Sequence, residues 1–581
     1  MKREVVEEAL RKGHLDVVFS TPTLAAGVNF PIRTVVFDSF YRRWVSEWIA
    51  HSEFLNMSGR AGRLGLDDKG LSVLITGSRT EFIQAKNYLT LPAERISSKL
   101  FSKSIRKSVL NLISSGICNT EDSLNNFYAS SFWWHQHLEH NPKKTEDVPP
   151  LVAEAVQWLI ENKLLVEQST RLVSTPLGTA ISGSGLLPAT GVSLINVLRL
   201  NNEKTEEGLL GIPLLHAICS SAEFDVSTKQ RHLPFARRNQ PETIAWKSVN
   251  QSNLLIPAMS SPIYDRVVNA AYGLDQWAKG ISERKLRRDL PSISYGQFQT
   301  LASDVSWVIV GLSKIVTSAD SGVDKAFGSS LLIYSNQIRY GVSVEALDIV
   351  VAAKSFSVPG FGRQRAMALA EVGLSDPNQL LKSSLAKIAK RVDSLDRAKG
   401  LVEAVGRYFE KINEYWKILH EGKAAEVGIK ELIERSYSAR GHEYEEVVEE
   451  MMKMFGWEVI QLDDGRRKGV PDFSISFGDK QALLECKTKQ KDDATIDKDE
   501  AFDVFTKAVS FSDEHLITLG KPEFDTFSKV QANGSQKVTL VPHYAFAEAY
   551  ILFLNKKISS EEAFEWLLIP GVANIDLLYQ S

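Results

Sequence analysis

This chain of 581 residues has few cysteines and a small net charge. The three cysteines, Cys118, Cys219 and Cys486, have no paired spacing, which argues against a disulfide framework or a zinc module. The formal net charge is only -3, so a surface for a polyanion would have to be a local basic patch. No apolar run approaches the length of a membrane span, and the charged start has no signal-peptide apolar region. These absences predict a cytoplasmic protein without a membrane partner.

Enough apolar sequence is present for several hydrophobic cores. The apolar fraction is 44% and the charged fraction is 24%, which is typical of globular proteins. Because a single core stops growing well below this chain length, we expect several domains.

Two segments have the alternating helix and strand pattern of α/β domains. In residues 1–97, strands are predicted at 16–19, 34–38 and 71–76. So few parallel strands would leave open apolar edges, and we therefore expect only the last part of a domain here. Residues 439–581 predict a second α/β domain with its own core.

The sequence between these two segments is predicted to be mainly helical. Helices followed by two short strands, at 164–167 and 171–174, suggest a winged helix. A helical bundle follows, whose longest helix is predicted at 294–315. Next come two short helices joined by a Gly-containing turn, and then a charged helical linker. The expected bounds of these four segments are 98–191, 192–342, 343–410 and 411–438.

A pair of arginines is the most informative feature of the N-terminal segment. Arg60 and Arg63 lie three apart in EFLNMSGRAGRLG, residues 53–65, at the predicted start of a helix. Gly59 and Gly62 leave the backbone bare beside them, so both guanidinium groups can reach one polyanion such as a triphosphate. Two arginines so placed would stabilise charge on a transferring phosphoryl group. A glycine-rich turn with surface arginines is the alternative.

With STPTLAAGVNFP at residues 20–31, this block resembles motifs V and VI of the Ski-like superfamily-two helicases. That group includes archaeal fork-repair helicases and the helicase region of polymerase theta. The resemblance implies that Gly27 and Asn29 belong to a loop coupling nucleotide to nucleic acid, and that the two arginines face the γ-phosphate of ATP. Asn56 departs from the family, which usually has Gln at that position.

The resemblance covers about residues 1–420. It implies an incomplete second RecA-like domain, a winged helix, a ratchet bundle and a helix-hairpin-helix unit, in that order. In the family the bundle supplies a ratchet helix against the single strand. Our candidates on that helix are Tyr295, Gln299 and Trp307, because aromatic rings can stack on bases. The alternative for Trp307 is a place in the core.

The Gly-containing turn of the helix-hairpin-helix segment is a second candidate contact with nucleic acid. Gly360 and Gly362 precede a predicted helix start, and Arg363 and Arg365 follow them. Backbone N–H groups and flanking arginines at such a position can bind phosphate. A structural capping turn is the alternative.

Neither GxxxxGK[ST] nor a DExH box occurs in the sequence. The residues that hold nucleotide phosphates and Mg²⁺ in helicases are therefore expected in another domain. We expect a truncated gene product, a fragment, or one half of a split enzyme whose separate subunit carries the Walker A domain.

A second set of chemical groups lies near the end of the chain, in GVPDF and LLECKTK. Glu485 and Lys487 are two apart on a predicted strand, so their side chains share one face, and Asp472 opens the neighbouring strand. Two carboxylates and a backbone carbonyl can hold Mg²⁺ or Mn²⁺, while the lysine orients or helps to deprotonate the attacking water. A solvated strand face that carries Glu and Lys is the alternative.

This pattern resembles the PD-(D/E)xK restriction-endonuclease-like superfamily. The resemblance implies a DNA-cleaving domain, and the preceding run GHEYEEVVEEMMKMFGWEV looks like its first helix. By that match Glu445 is a further metal ligand, with Glu446 as the competing choice. Phosphate contacts along the groove, or else solvated loops, are expected at the basic residues Arg466, Arg467, Lys468, Lys489 and Lys491.

The expected fold class is therefore multidomain α/β plus α, ending in a restriction-endonuclease-like domain. The expected function is that of the C-terminal part of an ATP-dependent DNA helicase-nuclease, which binds single-stranded or forked DNA and cleaves it with Mg²⁺ or Mn²⁺. A non-catalytic accessory subunit of a split helicase and an RNA helicase fragment are the alternatives. The helix-hairpin-helix unit and the nuclease class favour DNA.

We predict that the purified chain has no DNA-stimulated ATPase activity, because the triphosphate cradle and its Mg²⁺ ligands are expected in another domain. Adding a Walker A domain in trans or by fusion should restore turnover. Phosphate release with and without DNA is the measurement. Hydrolysis by the chain alone that survives Arg60→Ala and Arg63→Ala would contradict the helicase interpretation.

Overall fold

Backbone contacts divide the chain into a first unit, residues 1–99 with 132–142, and a second unit, residues 100–131 with 143–581. The computed structural model describes residues 9, 12, 14–19, 32–42, 47–62, 69–96, 98, 100, 105–140, 148–224, 233, 254–256, 262–291, 293–463, 469–511 and 514–579.

Strands and helices follow the α/β, helical, α/β order expected along the chain. The strands are β1 (Thr34–Phe37), β2 (Tyr41–Arg42), β3 (Glu47–Trp48), β4 (Leu71–Leu74), β5 (Leu165–Gln168), β6 (Arg171–Ser174), β7 (Glu458–Gln461), β8 (Phe473–Phe477), β9 (Lys480–Thr488), β10 (His515–Lys521), β11 (Val538–Pro542) and β12 (Gly571–Val572). The helices before residue 293 are α1 (His51–Ser58), α2 (Arg79–Thr90), α3 (Ile105–Ser114), α4 (Glu121–Ala129), α5 (Phe132–His140), α6 (Val148–Glu161), α7 (Pro176–Ser184), α8 (Pro188–Arg199), α9 (Glu206–Leu209), α10 (Ile212–Cys219), α11 (Pro262–Ala278) and α12 (Glu283–Asp289). Those after it are α13 (Tyr295–Val316), α14 (Phe327–Tyr340), α15 (Leu347–Ser355), α16 (Arg363–Ala370), α17 (Pro377–Lys382), α18 (Leu385–Val392), α19 (Leu395–Glu426), α20 (Lys430–Ser438), α21 (His442–Met454), α22 (Lys498–Ala501), α23 (Asp503–Lys507), α24 (Thr526–Asn533), α25 (His543–Leu554) and α26 (Ser560–Leu567).

The first unit is built around a parallel pair of strands. β1 and β4 pair in parallel, with Thr34 opposite Leu71, which confirms both predicted strands. Aromatic side chains make the core beside them, and the rings of Phe54 and Tyr88 stack at 4.8 Å. The Tyr88 hydroxyl also donates a hydrogen bond to the Ile49 carbonyl at 2.6 Å, so the buried phenol has a polar partner.

The strand predicted at 16–19 is wrong. The described residues 14–19 have no strand conformation, and Val17 and Phe19 are 71% and 95% exposed. An apolar run becomes a strand only when a neighbouring strand satisfies its backbone groups, and among the described residues no strand pairs with this run.

In the second unit, α3, α4 and α6 pack around the hairpin of β5 and β6, which has the predicted strands with Leu165 opposite Ser174. The side chains of Val109, Leu124 and Leu159 are fully buried between them. Thr175 ends the hairpin and caps α7, because its hydroxyl accepts a hydrogen bond from the Gly178 N–H.

The longest bundle helix, α13, agrees with the helix predicted at 294–315. Ser294 and Gln297 form a capping box at its start. Leu301, Val305, Val308 and Leu312 are buried at helical spacing along one side. Among the described residues, no single helix could cross a membrane by length and apolarity; α7 and α8 reach that level only as a pair bent by 118°.

One helix, α19, belongs to two hydrophobic cores. Its first half contributes Leu401 and Phe409 to the core around α15–α18. Its last turn contributes Ala424, and α20 contributes Ile433 and Tyr437, to the core of the C-terminal domain. The stretch predicted as a linker, 411–438, is helical as expected, but it is not a spacer. Its frequent charges lie on the exposed side and conceal the apolar side in the sequence.

The C-terminal domain is a six-stranded mixed sheet in the order β12-β11-β10-β9-β8-β7. β9 to β12 run parallel, while β7 and β8 are antiparallel to their neighbours. Alternate residues of β9 enter different cores: Ala482, Leu484 and Cys486 join the core with α21 and α25, and Leu483 joins the core with α22–α24. The structure thus has an α/β domain where the sequence predicts one.

A chain of hydrogen bonds joins the bundle to this domain through Ser330 on α14. The Ser330 hydroxyl lies 2.9 and 2.8 Å from the two carboxylate oxygens of Glu206. It also accepts a hydrogen bond from the Asn533 side chain at 2.9 Å. Burial, with a smaller effect of Asp324, raises the pKa of Glu206 to about 7.

We predict that Glu206→Gln removes part of the pH dependence of stability. The folded-state pKa is above the ordinary 4.5, so the folded chain binds this proton more tightly; the stabilisation is complete below that ordinary pKa and is lost as pH rises through about 7. When the pH rises from 5 to 8, the free energy of unfolding of the wild type should fall by about 1–2 kcal/mol more than that of the variant. Denaturant unfolding at both pH values measures it, with the exposed Glu207→Gln as control. Identical pH dependence in Glu206→Gln and wild type would contradict the assignment.

Candidate functional site

Asp472, directly before β8, lies beside Glu485 on the neighbouring strand β9. In the antiparallel pairing of β8 with β9, Phe473 is opposite Leu484, which places the preceding residue, Asp472, next to Glu485. The Asp472 Oδ2 accepts a hydrogen bond from the Cys486 N–H at 2.7 Å. The sequence therefore correctly placed these two carboxylates on adjacent strands.

Both carboxylates are buried. Asp472 is 7% exposed and Glu485 is 1% exposed. Burial, followed by the negative charge of Glu485, raises the pKa of Asp472 to about 7. The Oε2 atom of Glu485 is buried and has no hydrogen-bond partner among the described residues. A buried carboxylate oxygen without a partner is costly, and a bound cation is one way to satisfy it.

Two lysines contact the other oxygen of Glu485. The Lys487 Nζ lies 2.8 Å from the Glu485 Oε1 and 2.8 Å from the Asp503 Oδ2. Burial lowers the pKa of the Lys487 ammonium, but hydrogen bonds to Asp503 and Glu485 outweigh it and raise that pKa above its ordinary value. Lys507 donates a second hydrogen bond to the same Glu485 oxygen.

Glu445 is half-buried on the first helix of the domain, α21, while Glu446 is exposed. The Glu445 Oε2 is 2.9 Å from the His442 Nδ1. After burial and Glu485, its negative charge is a further cause of the raised pKa of Asp472. Of the two glutamates weighed from the sequence, Glu445 is the one whose charge acts at Asp472.

The residues fit a divalent ion held by two carboxylates. Within the described part of the chain, no group of three or more His, Cys, Asp or Glu side chains is arranged to hold a metal ion, so Glu445 does not complete a three-carboxylate set. Mg²⁺ is commonly bound through only one or two carboxylates, with waters and substrate phosphates as the other ligands. Asp472 and the unpartnered oxygen of Glu485 suit that mode.

Lys507 and Asp503, on α23, are site residues that the sequence interpretation missed. Four residues apart on one helix, they form an ordinary-looking ion pair with a Nζ to Oδ2 distance of 3.7 Å. No sequence signal tells which strand such a pair will face. The burial of Val504 between them turns α23 towards β9.

The basic residues expected along the groove have mixed environments. Lys489 is paired with Glu500, with 2.5 Å between Nζ and Oε2. Lys491 is exposed. Three more, Arg466, Arg467 and Lys468, lie outside the described residues.

The candidates on the bundle helix α13 differ in exposure. Tyr295 is half-buried, with its ring 5.8 Å from that of Trp277, and it is hydrogen-bonded to the exposed Gln299. Trp307 is half-buried, and its ring lies 3.4 Å from the position that a Cβ on Gly185 would take. These contacts favour packing for Trp307, whereas Gln299 remains open to solvent.

The turn before α16 has the predicted glycines, but its arginines point inward. Arg363 donates hydrogen bonds to the carbonyls of Gly341 and Ile281, and its guanidinium lies 4.2 Å from the centroid of the Trp277 ring. The Nε and Nη2 groups of Arg363 thus bind carbonyls within the protein, which favours the structural alternative, and a phosphate contact at this arginine stays a prediction.

Arg365 also stabilises the turn through hydrogen bonds to backbone carbonyls. It donates to the carbonyls of Gly360 at 2.7 Å and Val392 at 3.1 Å. Gly360 has a φ of +68° and a Cβ there would lie 3.0 Å from the Arg397 guanidinium, so glycine is needed for this structural turn. A Cβ on Gly362 would meet nothing within 4 Å, and a phosphate contact at this glycine stays a prediction.

The arginine block of the first unit is described only in part. Helix α1 ends at Ser58, and the Arg60 N–H donates to the Met57 carbonyl at 3.2 Å. Arg60 thus follows the end of a helix, which corrects the prediction that it lies at a helix start. Gly59 is the C-terminal cap of α1, and its N–H donates to the Leu55 carbonyl. Asn56 is exposed on α1; Gly27, Asn29 and Arg63 lie outside the described residues.

Comparison with known proteins agrees with the helicase-like part of the chain. A family model described as a helix-turn-helix domain matches residues 70–166, which overlap the predicted winged helix. The chain is similar to the ATP-dependent DNA helicase Hel308 of Caldivirga maquilingensis, 26% identical over 407 residues, 67% of this chain and 51% of that protein. Hel308 of Aeropyrum pernix is 28% identical over 64% of the chain and 47% of its own length.

A third relative, Hel308 of Thermoplasma volcanium, is 24% identical over 67% of the chain and 52% of its own length. The chain thus spans about half the length of the curated relatives it matches. The similarity extends over about two thirds of this chain.

We predict that Arg363→Met lowers the free energy of unfolding by about 2–4 kcal/mol, because two carbonyls and the Trp277 ring lose their cationic partner. Urea unfolding measures this loss, and the exposed Arg284→Met is the control, with a change within about 0.5 kcal/mol. Full stability with a salt dependence of DNA binding reduced by about one phosphate contact would contradict the structural role.

Proposed function

We propose that this chain is part of a DNA helicase-nuclease, in which a helicase-type DNA-binding portion is joined to a metal-dependent phosphodiester-cleaving domain. The observation that carries the nuclease half is the buried pair of Asp472 and Glu485 on adjacent strands, with Lys487 beside them and one Glu485 oxygen unpartnered. The similarity to proteins named ATP-dependent DNA helicases supports the other half.

In the proposed cleavage, Asp472 and Glu485 would hold Mg²⁺ or Mn²⁺, together with a backbone carbonyl of β9. When bound, the ion polarises the phosphodiester and lowers the pKa of a water molecule. Lys487 orients that water and stabilises the charge that develops on the phosphate, because its ammonium is fixed between Asp503 and Glu485. Glu445 adds negative charge from α21 without being one of the two main ligands.

For the helicase half, we propose that ATP turnover requires a domain with a Walker A motif, supplied by the same polypeptide or by a separate subunit. Gly27, Asn29, Arg60 and Arg63 would then complete the nucleotide site from this side. The relatives' names and the matched helix-turn-helix domain favour DNA over RNA as the polymer. Single-stranded or forked DNA is the substrate that we propose.

A non-catalytic accessory subunit is the competing function, and one observation favours it. Lys487 and Lys507 both bind Glu485, as expected for a carboxylate retained as part of a structural ion network. The unpartnered Glu485 Oε2 favours the catalytic function, because a purely structural network would be expected to satisfy a buried oxygen.

We predict that the full chain nicks plasmid DNA with Mn²⁺ or Mg²⁺, and that Asp472→Asn or Glu485→Gln lowers the rate by about two orders of magnitude or more. Each change removes negative charge from the metal site and leaves the basic residues intact, so DNA affinity should be nearly unchanged. Asp479→Asn, in the exposed turn at the other end of the β8–β9 hairpin, is the matched control and should cut normally. The accessory-subunit function replaces the nuclease if the wild type neither nicks DNA nor binds a divalent ion.

A further inference from the structure

Lys507 occupies a position at the candidate metal site that no motif assigns to it. It is the last residue of α23, and its side chain is 19% exposed. Its ammonium donates to the Glu485 Oε1 and lies 3.7 Å from the Asp503 Oδ2. Glu485 is thus paired with the ammonium groups of both Lys487 and Lys507.

The packing of α23 explains why this lysine reaches Glu485. Along β9, Leu483, Glu485 and Lys487 share one face. Val504 of α23 packs with Leu483 in the core on that face. The burial of Val504 in the same core as Leu483 thus holds α23 against this face of β9, where Lys507 reaches the carboxylate.

The two lysines are not equivalent. Lys487 is 2.8 Å from Asp503 as well as from Glu485, so it keeps a carboxylate partner if Glu485 is taken by another cation. Lys507 has its close contact with Glu485 only, because Asp503 is 3.7 Å away. Of the two, Lys507 is the one that loses its main partner.

A divalent ion held by Asp472 and Glu485 would stand within a few ångströms of the Lys507 ammonium. Like charges at such a distance repel strongly in a buried site, because the protein interior screens them weakly. An ion at the Glu485 Oε2 and the Lys507 ammonium at the Oε1 would therefore oppose each other through charge repulsion on the same carboxylate.

We propose that Lys507 holds Glu485 while no divalent ion is bound, yields it to the ion, and then contacts a phosphate of the DNA strand. This inference rests on the proposed nuclease function. The ammonium is partly exposed, and a DNA phosphate at the centre is the anion that replaces its lost partner; lysine binds phosphate as a compact point charge. Lys507 is thus both a competitor of the ion and a catalytic residue.

Two readouts of opposite sign test this role. In Lys507→Met, calorimetric titration of the full chain with Mn²⁺ alone should give binding on the order of tenfold tighter than wild type, because one repelling charge is removed. At saturating Mn²⁺ the same variant should nick plasmid DNA on the order of tenfold more slowly, because a phosphate contact is lost. A merely structural lysine would weaken both, through damage to α23.

Separate control variants test whether the effects come from the lost charge or from damage to the fold. Lys507→Arg keeps the positive charge and should bind Mn²⁺ like wild type, and Lys557→Met removes an exposed lysine of the same domain and should change neither readout. If Lys507→Met melts below the assay temperature, Lys507→Gln takes its place, since a neutral amide can still hydrogen-bond Glu485.

Unchanged or weaker Mn²⁺ binding in the neutral variants, with normal binding and nicking in wild type, would overturn the role of Lys507 and leave the nuclease function standing. Tighter binding with undiminished nicking would overturn the phosphate contact. Absence of Mn²⁺ binding in wild type and in the neutral variants would instead remove the nuclease function, and this inference with it.

Discussion

The pairing of β8 with β9 is the constraint on which the candidate catalytic centre depends. Its register places Asp472 next to Glu485, and a slip of one residue would turn Glu485 and Lys487 to the opposite face. The apolar residues of β9 hold that register, because Leu484 and Cys486 must remain in the core with α21 and α25. The same packing that fixes the carboxylates also buries them, and the ammonium groups of Lys487 and Lys507 offset part of that cost.

Helix α19 connects the C-terminal domain rigidly to the helicase-like portion of the second unit. Its two ends lie in different cores, so a free rotation of one domain against the other would expose apolar surface. Buried polar contacts add to the connection: Asn378 and Thr495 exchange two hydrogen bonds of 2.9 and 3.0 Å. The helical part around α15–α18 and the C-terminal domain are therefore held in a fixed arrangement by one continuous helix.

Period-two alternation was enough to predict the face shared by Glu485 and Lys487, since strand geometry is local. Lys507 could not be found in this way, because an Asp and a Lys four residues apart occur on many exposed helices and only tertiary packing selects their neighbour. The partners of Arg363 could not be predicted from the sequence for the same reason. A glycine-rich turn with arginines has the same sequence pattern whether the guanidinium groups bind a phosphate or carbonyls of the protein. The charged surface of residues 411–438 concealed an apolar side that packs in the core of the C-terminal domain, which includes α25 more than a hundred residues later in the chain.

The most direct measurement of the central claim is an anomalous difference map from a crystal of the full chain grown with Mn²⁺. The account predicts one peak between the Asp472 carboxylate and the Glu485 Oε2, with the Lys507 ammonium displaced from Glu485. A map without a peak at that position, in crystals that hold Mn²⁺ elsewhere and retain the contact between Lys507 and Glu485, would contradict it.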